Sequence, residues 1–226
     1  NLGTDPIWGM RSMGAYLYVV SGDNVYRVDQ NSAAVNLGGI GTVSDAVIMD
    51  DNGVYVLIVK EDGATYYADS TTLAQITDGQ FERASSVAVI DGYAIFSRKD
   101  TDEAAASDLN DTTAYSALAF ARAEASPDLL VRVFNHKGTL WLFGERTTEV
   151  WYNSGITNFA FSRIPGVGPQ IGCAANYSIS RLGPSLIWLA KNEQGENFVV
   201  ATDQYGWDRI SNHAVDHAIA SYPVTE

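Results

Sequence analysis

The sequence predicts an almost all-β fold, a β-propeller of about five four-stranded blades with little helix. Three observations predict it. Short runs of aromatic and β-branched residues alternate with Gly, Asp and Asn. Hairpin glycines recur every 39 to 46 residues. A strand of one type follows each of those glycines, and a matching strand precedes four of them. A repeat near 40–45 residues with about four strands marks a propeller blade, which buries its apolar faces only by stacking on neighbours. Residues 1–226 are expected to form one such domain. A β-sandwich would not recur in sets of four strands, and a β-helix would have a shorter period.

The elements follow in order. Tyr16–Val20 and Asn24–Val28 are strands joined at Gly22-Asp23; Ala46–Met49 and Val54–Val59 flank Asp51-Asn52-Gly53; Val87–Ile90 and Tyr93–Phe96 flank Asp91-Gly92. A glycine that accepts positive φ between two such runs is a strong hairpin signal. The turn glycines Gly14, Gly53, Gly92, Gly138 and Gly183 are spaced by 39, 39, 46 and 45 residues. Leu140–Phe143 and Leu186–Leu189 follow the last two, and Val131–Asn135 and Tyr177–Arg181 precede them. A later strand ends most units, carrying Ile76, Leu118, Ile164 and Ile210 at spacings of 42, 46 and 46. The first unit shows no opening strand before Met13, a gap that closed propellers often fill with a strand from elsewhere in the chain. Alanine-rich Thr112–Ala125 reads as an outer strand, because Leu118, Phe120 and Arg122 alternate with alanines. Asn212–Ser221 reads as a short helix capped by Asn212, with Val215 and Ile219 on one face. Trp141, Phe143, Trp151, Trp188 and Leu189 are expected between blades.

Composition narrows the function. With 226 residues, 46% hydrophobic and 18% charged, the chain buries a core without staples and is not a disordered polymer. No apolar run approaches the roughly 18 residues of a membrane span. No signal peptide opens the chain, and a start at Asn1 suggests an excised or processed product. The single cysteine, Cys173, allows no internal disulfide and fits a reducing compartment. Twenty-seven acidic residues against 14 basic ones, a net −13, argue against wrapping nucleic acid or binding an anionic membrane.

Motifs that suggest chemistry read better as structure. His213 and His217 share a helix face at a spacing zinc can use, but no third ligand is suggested. The run from Gly166 to Gly172 contains a Pro and leads into no helix, so it is a loop between blades and not a dinucleotide cradle. Gly38-Gly39-Ile40-Gly41 reads as a flexible connector. Cys173 sits in an apolar Ile-Gly-Cys-Ala-Ala setting typical of a packed thiol. The sequons at Asn110 and Asn176 have no secretory context. Asp50, Asp91 and Glu145 near strand ends are the candidates for a paired-carboxylate glycosidase, though aspartates in turns usually serve the backbone.

The segment Leu140-Trp-Leu-Phe-Gly-Glu-Arg-Thr-Thr-Glu-Val-Trp-Tyr-Asn-Ser-Gly155 is the most distinctive. With Ser107-Asp-Leu-Asn-Asp111 and Phe120-Ala-Arg-Ala-Glu-Ala-Ser-Pro-Asp128, it resembles the packaged-DNA stabilisation proteins of short-tailed bacteriophages, also called tail hub or head-completion proteins. The likeness keeps the order of these segments and continues through Cys173-Ala-Ala and Ile210–Tyr222. It covers most of the chain from about Gly53 onward; the first forty residues match only in style.

The resemblance implies a non-enzymatic virion structural protein of the tail or neck, made in the host bacterial cytoplasm. It implies a ring below the portal that closes the filled head and carries later tail parts, with other connector and tail proteins as partners. It implies no catalytic residue, no cofactor and no metal ligand. Family members are about twice this length, so the chain is expected to be the propeller core of a longer protein whose flanking segments make the ring contacts. A carbohydrate-binding or carbohydrate-cleaving propeller would instead gather carboxylates and aromatics in a central pocket, and an adaptor would expose an apolar patch. The charge predicts weak affinity for duplex DNA. Arg122, Arg132 and Lys137 are close in sequence but stand among Asp108, Asp111, Glu124 and Asp128.

Overall fold

A computed structural model describes residues 2, 4–123, 128–192 and 194–222. It contains five antiparallel sheets, each a blade. Blade 1 is β1 (Ile7–Met13), β2 (Tyr16–Ser21), β3 (Asn24–Val28) and β4 (Ala34–Gly39). Blade 2 is β5 (Ile48–Asp51), β6 (Val56–Val59), β7 (Thr65–Ala68) and β8 (Leu73–Gln75). Blade 3 is β9 (Ala84–Ile90), β10 (Tyr93–Arg98), β11 (Glu103–Asp108) and β12 (Asp111–Arg122). Blade 4 is β13 (Leu130–His136), β14 (Thr139–Gly144), β15 (Thr148–Asn153) and β16 (Phe161–Arg163). Blade 5 is β17 (Gly172–Cys173), β18 (Ser180–Leu182), β19 (Ser185–Lys191), β20 (Asn197–Asp203) and β21 (Gly206–Arg209), followed by α1 (His213–Ser221).

Strand order in blades 1 to 4 follows chain order, a meander from inner to outer edge; in blade 5 β17 and β18 share the inner edge beside β19. The five repeat glycines all occupy left-handed backbone, with φ of +58° at Gly14, +81° at Gly53, +83° at Gly92, +75° at Gly138 and +57° at Gly183. That conformation is strained for other residues, which explains why the repeat is written in glycine.

The second strand of each blade shows how the blades stack. Its side chains alternate between faces, so a strand sandwiched between two blades is apolar throughout. On β6, Val56 and Ile58 pack toward blade 1, while Leu57 and Val59 pack toward blade 3. On β14, Leu140 and Leu142 pack toward blade 3, and Trp141 and Phe143 toward blade 5. Four clusters of buried residues fill the junctions 1–2, 2–3, 3–4 and 4–5. Among the described residues no cluster spans blades 5 and 1. Accordingly β6 is buried along its whole length, whereas β19 alternates buried and half-buried residues.

Several expectations are met and others corrected. Trp141, Phe143, Trp151 and Trp188 are buried, but Leu189 is only half-buried, because it points to the face of blade 5 that no other blade covers. Blade 1 has its own opening strand, β1, so no strand from elsewhere completes it. Tyr177–Arg181 is not one strand. A single 3-10 turn at Asn176–Ser178 separates β17 from β18, and both pair with β19. The stretch from Thr112 is the outermost strand of blade 3, as its alternation suggests; Glu124 and Ala125 lie outside the described residues. In that blade Ala123, not Leu118, takes the position after the last paired stretch, because β12 carries register shifts. Gly38-Gly39-Ile40 is no loose connector: both glycines pair in β4 and Ile40 is fully buried. Asn212 caps α1, its side chain accepting from the N–H groups of Ala214 and Val215 at 3.1 Å each.

Candidate functional site

In each blade the second and third strands meet in a turn at one end of the propeller. The turns after β6, β10, β14 and β19 begin at or beside Lys60, Lys99, Glu145 and Lys191, spaced by 39, 46 and 46 residues. These four side chains line one cavity of about 800 Å³, bounded by blades 2 to 5. Three of the chain's four lysines therefore gather at one register of the repeat. Lys60 is buried and holds Asp62 at 3.2 Å. Asp45 and Glu61 line the same cavity, and Glu61 accepts from the N–H and hydroxyl of Ser44 at 3.0 Å each. The cavity is a polar cup of mixed charge.

Its floor is the interruption in the inner edge of blade 5. Arg132 of blade 4 donates to the Asn176 carbonyl at 2.7 Å, and the Asn176 amide donates to the Ser85 carbonyl of blade 3 at 3.3 Å. The Tyr177 hydroxyl donates to the Ala46 carbonyl of blade 2. One short loop thus ties blade 5 to three others across the axis. Burial pushes the Tyr177 hydroxyl up to about 12, with Asp45 and Glu61 adding to the effect, so it remains a donor at neutral pH. Burial also pushes the Arg132 guanidinium down and the Cys173 thiol up. Cys173 donates to the Ala175 carbonyl at 3.2 Å, bracing the loop from below.

The residues singled out in the sequence do not converge on a reaction centre. Asp50 is the penultimate residue of β5 and Asp91 begins the β9–β10 turn, whereas Glu145 lies in a turn at the opposite end of its blade. Asp50 is structural: it accepts from the Val89 N–H of blade 3 at 2.7 Å and meets Arg11 of blade 1 at 2.5 Å. Burial raises its pKa despite those partners. Asp91 accepts from Asn153 at 3.0 Å. His213 and His217 are exposed on α1, while Asp216 between them is held by Arg209 and Ser211 at 2.5 Å each. Among the described residues no three His, Cys, Asp or Glu side chains are grouped as metal ligands.

The glycines near Gly166 are explained by packing. A Cβ on Gly172 would stand 2.1 Å from the Glu145 backbone, and one on Gly168 would stand 2.4 Å from the Thr148 carbonyl. They let the connector between blades 4 and 5 press against blade 4. The three basic residues close together in sequence lie on different parts of the blades. Arg122 is on an outermost strand, paired with Glu103 at 2.8 Å; Arg132 is on an innermost strand; Lys137 is in a turn.

Sequence reasoning missed the lysine register and the axial loop. The lysine spacing was visible once the blades were aligned. The loop's only trace was the absence of alternation at Asn176-Tyr-Ser, which does not say where a loop points.

Comparison with known proteins agrees with this architecture. The chain is similar in fold to PorZ, a surface component of the type-IX secretion system of Porphyromonas gingivalis, at 10% identity and a TM-score of 0.58, over 92% of this chain and 28% of that one. It is similar to BamB from Moraxella catarrhalis at 12% identity and a TM-score of 0.59, over 94% and 63%. It is also similar to the computationally designed Ika8 protein at 13% identity and a TM-score of 0.57, over 92% and 61%. The chain thus spans between about a quarter and just under two thirds of these three solved chains. No curated protein matches it in sequence. The model of a family described as bacteriophage P22 Gp10, β-propeller, matches residues 8–226.

Proposed function

The chain belongs to the bacteriophage P22 Gp10 β-propeller family and is a phage structural protein, and on that premise we propose that it is a non-enzymatic head–tail connector or tail hub. In this reading it closes the DNA-filled head and supports tail assembly. It sits in the tail or neck of the virion, self-associates into a ring as part of a longer chain, and contacts other connector and tail proteins. The observation that carries the reading is the family match, which runs through all five blades.

The physical character of the molecule supports it. Four apolar junctions and an axial loop bonded to three blades make a stiff body, as a connector that closes a DNA-filled head requires. A net charge of −13 lets DNA pass without gripping it. The competing carbohydrate reading has Asp45, Glu61 and Glu145 in the axial cavity, but Tyr177 is the one aromatic lining it among the described residues, too little for a stacking platform.

The test is genetic. Particles assembled without this protein should package DNA and then lose it, and should lack tails in negative stain. Particles that keep their DNA and tails without it would refute the connector role.

A further inference from the structure

The repeat equips blade 5 for a neighbour that the described residues do not supply. In blades 1 to 4 the second strand turns one central side chain toward the next blade: Tyr18, Leu57, Ile95 and Trp141, each 0–1% exposed. The register-equivalent in blade 5 is Ile187, 46 residues after Trp141, and it is only half-buried. The last residue of the inner strand repeats the contrast for blades 1, 3 and 4. Met13, Ile90 and His136 are 9%, 2% and 4% exposed under the following blade, whereas Leu182 is 61% exposed. The residue after the outer strand repeats it again: Ile40, Ile76 and Ala123 are 1%, 6% and 5% exposed and Ile164 is half-buried, whereas Ile210 is 53% exposed.

These positions do the same backbone work. The N–H groups of Ile76, Ile164 and Ile210 each donate to a third-strand carbonyl at 2.9 Å. Blade 5 is therefore built like the others and keeps their apolar residues on the uncovered face. The following helix does not hide Leu182 or Ile210, which are 61% and 53% exposed with α1 in place.

We propose that the five blades are an arc of a larger propeller, and that this face of blade 5 is covered by the inner two strands of a sixth blade of the same polypeptide. The proposal rests on the reading of this chain as part of a longer protein. What fits the face is set by the four existing junctions: an inner edge bringing apolar residues, as Val47, Val87, Val133 and Cys173 do, and a second strand bringing mostly large ones, as Leu186 and Trp188 present to Trp141 and Phe143. A second copy of the chain fits poorly. It would bring five further blades around one axis, ten in all, where propellers typically hold about four to eight. The arc also matches two solved chains over 63% and 61% of their length, so the same curvature exists within longer chains.

Thiol labelling tests this. Leu182→Cys is made in the 226-residue chain and in the protein at its full natural length, with Ile210→Cys as a second site. The native thiol, Cys173, is 2% exposed and serves as the unreactive control. The expected result is rapid labelling at both sites in the 226-residue chain and labelling at least about tenfold slower in the full-length monomer, as for a site that opens only transiently. Equal labelling in the two proteins overturns the proposal, because the face is then free. Protection already present in the short monomer overturns it too, by showing that five blades close on themselves. Protection that appears only as concentration rises assigns the face to a second copy and also refutes it. None of these outcomes bears on whether particles need the protein to retain DNA.

Discussion

Trp188 and Leu189 are adjacent on β19 but should respond very differently to truncation. Trp188 is 0% exposed in the junction of blades 4 and 5. It meets Phe143 edge to face with centroids 5.3 Å apart, and its indole N–H donates to the Gly172 carbonyl at 3.2 Å. Replacing it with Ala leaves a large cavity and removes an aromatic pair, for a loss of about 3–5 kcal/mol. Leu189 points the other way and is half-buried. A fully buried Leu→Ala costs roughly 2–5 kcal/mol, and a half-exposed one leaves little cavity, so about 1 kcal/mol is expected here. Urea unfolding of both variants of the 226-residue chain, followed by far-ultraviolet circular dichroism, gives the difference from midpoints at constant slope. Comparable losses would refute the assignment of the two faces. A loss under about 1 kcal/mol at Trp188 would refute its burial.

Three further outcomes are expected. Burial raises the Asp50 pKa, so the folded state binds its proton more tightly than the unfolded chain does; its contribution is present below the ordinary value of 3.8 and is lost as pH rises through the raised one. Asp50→Asn should therefore gain stability relative to the parent as pH rises from 3.8 toward neutrality, and a relative loss over that range would contradict the sign. Tyr177→Phe removes the tie from the axial loop to Ala46 and should cost about 0.5–1.5 kcal/mol, with faster amide exchange in the loop; unchanged exchange would mean the tie is not formed in solution. Fluorescence anisotropy at low salt should show little binding to duplex DNA, given the net charge of −13; micromolar binding that weakens steeply with salt would instead indicate direct contact.

Local chemistry determined the blades. A hairpin needs a residue that accepts positive φ, and a strand packed on both faces needs apolar residues throughout, so Gly14, Gly53, Gly92, Gly138 and Gly183 and the runs after them disclosed the fold without coordinates. The capped helix at Asn212 and the outer strand from Thr112 are equally local. What the sequence left open depends on partners distant in the chain. Leu189 and Trp188 look alike as apolar residues of one strand, and only the position of blade 4 buries one and exposes the other. Asp50, Asp91 and Glu145 look alike as carboxylates near strand ends, and only the alternation of turns between the two ends of the propeller separates them. Asn176 and Tyr177 read as part of a strand until Arg132, Ser85 and Ala46 draw them across the axis. Periodicity records which residues face a neighbour, but not whether that neighbour is there; burial decides it, and burial belongs to the whole arrangement.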